Sequence, residues 1–470
     1  MILSLILLIA HIGGFISSLH AILSTRTSQG AVAWVISLNT FPVLALPAYW
    51  IFGRNNFHGY VLERQQEDQA VHHFIEKMMQ EHPDVFSSRR DSLPAALAAE
   101  RLALMPTLRG NQVELLINGE ATFDSILAGI ARAQDYVLVQ FFILKDDVLG
   151  QRLRDALIER ARADVRVYVL YDEIGSIGLP ESYLSALRSE GVNIRSFHTR
   201  KGSRNRFQLN FRNHRKIVVT DGATAWVGGH NVGDEYIDGG PEFDAWRDTH
   251  VKIAGPAALS LQRVFLEDWN WAADEMLKLD WERGLESQGQ QEVLIIPSGP
   301  ADQRETASLM FTHAINSAQQ RIWIATPYFV PDTGLLQALQ LAALRGVDVR
   351  ILMPDEKDHL FVYWAGFSYM KEAGTDIRFW RYTNGFMHQK VMVIDDHVAT
   401  VGTANFDNRS FRLNFEVTAM VIDTDFNRAV AAMLERDFER SVEVSANLID
   451  SKSAFFRLKS RAASLLSPIL

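Results

Sequence analysis

Two short stretches of this 470-residue chain carry the side chains that phosphate chemistry needs. One is His214-Arg215-Lys216, the four residues IVVT, then Asp221. The other is His388-Gln389-Lys390, the four residues VMVI, then Asp395. Seven positions after each Asp a glycine opens a turn that ends in Asn, GGHN at 228–231 and GTAN at 402–405. A single H-x-K arises often by chance and then reads as a solvated strand end. Two copies with the same His–Lys–Asp–Gly–Asn spacing do not. An imidazole can attack phosphorus or move a proton near neutral pH, and an ammonium stabilises the charge that develops on phosphoryl oxygens. One copy supplies one histidine. In-line displacement through a covalent intermediate needs a nucleophile on one side of phosphorus and an acid/base on the other, so the copies must face each other. Two lysines would then do what a metal does elsewhere. No H-E-x-x-H, Cys/His or EF-hand pattern occurs, so neither a metal nor any other cofactor is expected.

The elements that position these groups follow from periodicity. His and Lys two apart share one face of a strand, and the apolar residues after them anchor that strand in a core. Asp221 and Asp395 sit at an odd offset from their histidines and point the other way. They complete the motif in a supporting role, fixing strand end and turn. Each imidazole needs a carboxylate to set its tautomer. Glu416 follows Asn405 and Asp248 follows Asn231 at matching places. Each could be an ordinary surface acid, but the match favours orienters, Glu416 for His388 and Asp248 for His214.

The chain repeats itself around these motifs. ILAGIARAQDYVLVQFFIL, LGQRLRDALIERARADVRVYVLYDE and ESYLSALRSEGVNIRSF are answered in order by FTHAINSAQQRIWIATPYFV, TGLLQALQLAALRGVDVRILMPDE and YWAGFSYMKEAGTDIRFW. Helices alternating with apolar strands predict α/β layers. The duplication predicts two such domains about a pseudo-twofold axis, residues 111–291 and 292–450, with ESQGQQ (286–291) as linker and a polar helical connector over 54–110. Residues 1–23 carry no charged side chain, and 31–53 is a second uncharged run. Each is long enough to span about 30 Å of hydrocarbon. A cleaved signal would want a basic start, yet the first basic residue is Arg26. A two-helix transmembrane hairpin is the expectation, with mid-span His11 packed against the second helix. Arg54 and Arg64, against Arg26 alone in the connection, place the body on the cytoplasmic side. The tail, 451–470, is basic and amphipathic. It lies either in a membrane interface or on the protein body.

Composition narrows the function. With 47% hydrophobic and 22% charged residues the chain is globular, and a net charge of −9 argues against nucleic acid as a partner. The absence of cysteine removes thiol nucleophiles and disulfides.

The repeated H-x-K-x4-D motif resembles that of the phospholipase D superfamily. Together with the N-terminal spans, TPYFVPD (326–332), WRDTH (246–250), NFDNRSFRLNFE (405–416) and the terminal LLSPIL, it is similar to the bacterial cardiolipin synthases over nearly the whole chain. The resemblance implies two phospholipase D-like domains sharing one site, in a multi-pass protein of the bacterial inner membrane. It implies transfer of a phosphatidyl group from one phosphatidylglycerol to the hydroxyl of another, with release of glycerol, so membrane phospholipids and the bilayer are the partners. One motif histidine becomes phosphatidylated and the other moves protons. The residues leave that choice open, and His214 is taken as nucleophile, His388 as acid/base. Lys216 and Lys390 match the family's phosphate-binding lysines, Asn231 and Asn405 its phosphate-contacting asparagines. The GGHN turn lacks the family's usual hydroxyl, and His230 within it is read as incidental. Rival readings are a phospholipase D that uses water as acceptor, a nuclease of the superfamily and a scaffold with a degenerate site. The spans and the net charge weigh against the nuclease, and the complete motifs weigh against the scaffold.

Overall fold

The computed structural model describes residues 2–25, 27–53, 57, 60, 80–87, 94–197 and 210–470. Apolar strands flanked by helices must be covered on both faces, and here they join into one mixed sheet. From one edge to the centre run Ser441–Val444, Arg378–Tyr382, Asp348–Pro354, Arg321–Ala325, Val391–Ile394, Val398–Gly402, Asn414–Ile422 and Gln291–Ser298. From the centre to the other edge run Leu108–Ile117, Thr249–Ala254, Thr224–Gly228, Ile217–Thr220, Tyr136–Phe141, Arg166–Asp172 and Asn193–Phe197. Apart from the extra edge strand Ser441–Val444, the order is a palindrome of the two repeats. Its centre is the antiparallel pair of Leu108–Ile117 with Gln291–Ser298, in register at Leu108–Val293 and Asn111–Gln291.

Packing follows that symmetry. A central core joins the repeats through Val113, Val251, Leu261 and Phe265 from the first and Val293, Ile295, Val417 and Ala419 from the second. Separate outer cores lie under the helices of each repeat, Ile126, Leu153 and Leu187 on one side, Ile315, Leu339 and Met370 on the other. The shared centre gives the two repeats a fixed relative placement, which a site built from both requires. Most of the 54–110 connector, including 61–79, lies outside the described residues. Its helix Pro94–Ala103 buries Ala99 and Ala103 in the central core. The 286–291 segment is tied to the first repeat by Gln288 and Gly289 N–H groups donating to Gly110 O.

The N-terminus differs from the expected pair of spans. Ile2–Ser24 is one helix, and within it Ser4–Ser24 is long and apolar enough to cross a bilayer. The second apolar run is broken into Ser28–Thr40 and Pro42–Phe52. Phe41 precedes a proline, which disfavours helical backbone, and it adopts φ −131°, ψ 57°. Both short helices still lean on the first, through Asn39 Nδ2 donating to Ser18 Oγ (2.7 Å) and Trp50 Nε1 to Ser17 Oγ (3.2 Å). His11 does not pack on them. It is exposed, and its Nδ1 lies 2.8 Å from Leu7 O one turn back. The C-terminal helix Ala454–Ser464 does pack on the body. Ser460 is fully buried against Ser368 (2.7 Å), while Phe455 and Leu458 stay exposed.

Candidate active site

Each motif histidine sits where its own ladder is interrupted. Residues 214–216 link the two-residue strand Arg212–Asn213 to Ile217–Thr220, and 388–390 link Phe386–Met387 to Val391–Ile394. Those two-residue strands reach across the domain boundary. Arg212–Asn213 runs parallel to Asn414–Phe415, and Phe386–Met387 runs parallel to Trp246–Arg247. His214 N–H donates to Phe415 O (2.9 Å) and His388 N–H to Arg247 O (2.8 Å). The residue after each partner is a carboxylate, so the register delivers it to the opposing histidine. His214 Nδ1 lies 3.0 and 2.9 Å from the Glu416 oxygens, and His388 Nδ1 lies 2.8 Å from Asp248 Oδ2. This corrects the expected pairing: each carboxylate lies against the histidine of the other copy, because the strand beside each histidine belongs to the other repeat.

The two copies share one electrostatic environment. Burial lowers the His214 imidazole to about 4, opposed by Glu416 and reinforced by Lys216 and Lys390. Burial and Lys390 also push His388 well below its ordinary range. Burial pushes the Glu416 carboxyl up, but His214 and Lys216 outweigh it and leave it below the usual carboxylate value. A neutral His214 therefore donates Nδ1–H to a charged Glu416 and leaves its Nε2 lone pair available. Lys216 and Lys390 are buried, each donates to the carbonyl of its own motif histidine, and Lys390 Nζ also lies 2.9 Å from His388 Nδ1. Burial brings Lys216 down to about 7 and Lys390 to about 8, with Glu416 and Asp248 pulling the other way. Since the ammonium form binds phosphate, kcat/KM should fall as pH rises through about 7 to 8, where the free enzyme loses these protons. Initial rates below KM across the pH range check this. A profile flat up to the ordinary lysine range would contradict it.

The carboxylates are held unequally. Glu416 also accepts from Thr403 Oγ1 (2.6 Å) and Asn414 Nδ2 (3.1 Å). Asp248 has the Thr249 N–H (2.8 Å) instead. The hydroxyl missing from GGHN has a steric reason, because a Cβ on Gly229 would lie 2.0 Å from Asp248 Oδ1. The asparagines differ too. Asn231 is engaged at both ends, accepting from Ile143 N–H (3.1 Å) and donating to Tyr236 Oη (3.0 Å). Asn405 Oδ1 is buried without a hydrogen-bond partner. His230 packs on His250 with their Nδ1 atoms 3.3 Å apart, and burial holds both near 3, hence neutral. Among the described residues, no group of three or more His, Asp or Glu is placed to hold a metal ion.

The domain family described as "Cardiolipin synthase, PLD-like domain" matches residues 126–269 and 311–441, one segment in each repeat. The chain is 47% identical over 466 residues to cardiolipin synthase A of Pseudomonas putida, covering 98% of this chain and 96% of that one. It is 46% identical to cardiolipin synthase A of Pseudomonas entomophila over 98% and 97% of the two chains. The chain belongs to the cardiolipin synthase family. The phosphatidylserine synthase of Haemophilus influenzae shares the fold, with a TM-score of 0.59 at 14% identity over 80% of this chain and 100% of that one.

Within this family member, Asp221 and Asp395 lie away from the histidines. Asp221 accepts from the N–H groups of Gln134, Asp135 and Tyr136, and Asp395 from those of Gln319, Gln320 and Arg321. Both adopt left-handed backbone, φ 54° and 48°, which Asp tolerates better than most residues. Residues that the spacing left unremarked do more near the histidines. Arg215 donates to Asp268 Oδ1 (2.8 Å) and to Glu416 O (3.0 Å). In the second copy Gln389 donates to Asp437 (2.8 Å), which Arg247 also grips bidentately at 2.9 and 2.7 Å. The available signal was parity: the middle residue of H-x-K turns from the cleft into the layer beneath, where a charge needs a partner.

Proposed function

We propose that this chain makes cardiolipin by moving a phosphatidyl group from one phosphatidylglycerol to another through a phosphatidyl-histidine. The observation that carries this reading is the pair of crossed histidine–carboxylate contacts in one lysine-bearing site. His214 Nε2 attacks phosphorus, the N–P bond forms and the bond to the glycerol oxygen breaks, with His388, which takes up a proton when the phosphodiester anion binds beside it, giving that oxygen its proton. The hydroxyl of a second phosphatidylglycerol then yields a proton to His388 and attacks phosphorus, and the N–P bond breaks to restore His214. Lys216 and Lys390 stabilise the phosphoryl oxygens, and Asn405 adds an amide beside them. Glu416 and Asp248 hold the imidazoles in the reactive tautomer. Residues 111–291 and 292–450 are the two catalytic units.

The apolar N-terminus supports a membrane anchor. Ile2–Ser24 crosses the bilayer, the two shorter helices return against it, and the Lys/Arg balance leaves the catalytic body in the cytoplasm of a bacterial cell. The test is to incubate purified, detergent-solubilised protein with headgroup-labelled phosphatidylglycerol and a chelator. Cardiolipin with equimolar glycerol is expected. Phosphatidic acid with glycerol would make the enzyme a hydrolase, and no turnover even after divalent metal is restored would refute the donor or the motif reading.

A further inference from the structure

The phosphate machinery leaves the headgroup unrecognised. Glycerol departs, and the second glycerol arrives, on the acid/base side of phosphorus, and no motif residue distinguishes either from water. Beside His388 a small recess is lined by Tyr328, Asp358, His359, Tyr363, Arg381 and Phe386. Phe386 forms the wall common to both, its ring centroid 5.9 Å from that of His388. Tyr328 donates its hydroxyl to Asp358 Oδ2 (2.5 Å), and the side chain of Asp358 keeps 29% of its surface open. Trp246 packs on both Phe386 and His388, at 5.1 and 5.0 Å between ring centroids, with its indole Nε1 buried and unpartnered. The charge on Asp358 is felt by His388, Lys390 and Tyr236, which places it within the field of the site.

A carboxylate near a phosphodiester is repulsive, so this placement needs a compensating contact. Neighbouring hydroxyls supply one, because a carboxylate accepts two hydrogen bonds side by side. We infer that Asp358, held by Tyr328, is the headgroup subsite and accepts hydrogen bonds from the two adjacent hydroxyls of a lipid's glycerol headgroup. The inference rests on His388 as acid/base. The leaving glycerol fills this subsite with both hydroxyls, and the acceptor lipid, one of whose hydroxyls attacks phosphorus, reaches Asp358 with the one that remains.

The full chain in mixed micelles tests this, with headgroup release measured from phosphatidylglycerol and from phosphatidylethanol, whose headgroup has no second hydroxyl. The quantity read is the ratio of the two rates. Asp358→Asn is expected to lower the ratio roughly 10- to 100-fold, the worth of hydrogen bonds to a charged group, and Tyr328→Phe about fivefold. Asp358 is partly open to solvent, and unchanged melting would confirm that both variants fold. A ratio kept at the wild-type value in both variants, with or without a common fall in rate, overturns the subsite. Failure of the wild type to make cardiolipin would instead refute the proposed reaction, since the ratio is read from headgroup release alone.

Discussion

His214→Ala is expected to abolish headgroup release from every donor, by roughly 10,000-fold or more, because it removes the proposed nucleophile. His388→Ala is expected to behave differently according to the leaving group. Glycerol departs as a poor anion, so losing its proton donor costs on the order of 100- to 10,000-fold with phosphatidylglycerol. A donor carrying p-nitrophenol needs no proton. With it, His388→Ala should still release one nitrophenol per active site and then stall, because no base remains to activate the acceptor. A stoichiometric burst from His388→Ala and none from His214→Ala fixes the roles as assigned. The reverse pattern would exchange them, and no burst from either would remove the covalent intermediate. The unequal support of the two carboxylates favours the first result. Glu416 collects three side-chain partners, so His214 faces the better-held anion and its Nε2 keeps its lone pair.

Much of this arrangement was legible in the residues. The repeat is written in parallel helix–strand patterns, and the palindromic sheet follows once two α/β units share a central strand pair. The motif spacing marked the histidines, lysines and both carboxylates. What spacing could not provide was the partner of each carboxylate. Glu416 is 28 residues from His388 and 202 from His214 along the chain, and a linear reading favours the nearer. The pairing is set by two parallel ladders of two residues each, which form only when the domains meet. The broken second span had a visible cause in Pro42, yet uncharged length outweighed it in a reading based on hydropathy. Asp358 lay in PDEKDH, a run of ordinary surface polarity, and only the fold sets it in one recess with Tyr328 and Phe386.

Asp268→Ala is expected to be the most destabilising single change near the site, and Arg215 is the reason. The Arg215 guanidinium is 2% exposed and Asp268 fully buried. Burial pushes the guanidinium toward losing its proton, but Asp268 and its neighbours outweigh that and raise it further. Asp268 also accepts from Tyr60 Oη (2.9 Å), Gln140 Nε2 (2.6 Å) and Asn213 Nδ2 (2.8 Å). Removing the carboxylate strands a buried cation and takes an acceptor from three donors, a loss of about 3–5 kcal/mol for the ion pair alone. A melting temperature lower by several degrees, read by thermal shift in detergent, is the expected result. The double change Arg215→Met with Asp268→Leu separates cause from site. It removes both charges and fills the space, so it should melt well above Asp268→Ala. It should still lose activity, because Arg215 Nε no longer holds the Glu416 carbonyl that positions the carboxylate on His214. A double variant as unstable as the single one would show that the lost hydrogen bonds to Gln140 and Asn213, rather than the orphaned charge, carry the effect. An Asp268→Ala protein that melts with the wild type would mean that water reaches Arg215 and that this ion pair does not hold the motif in place.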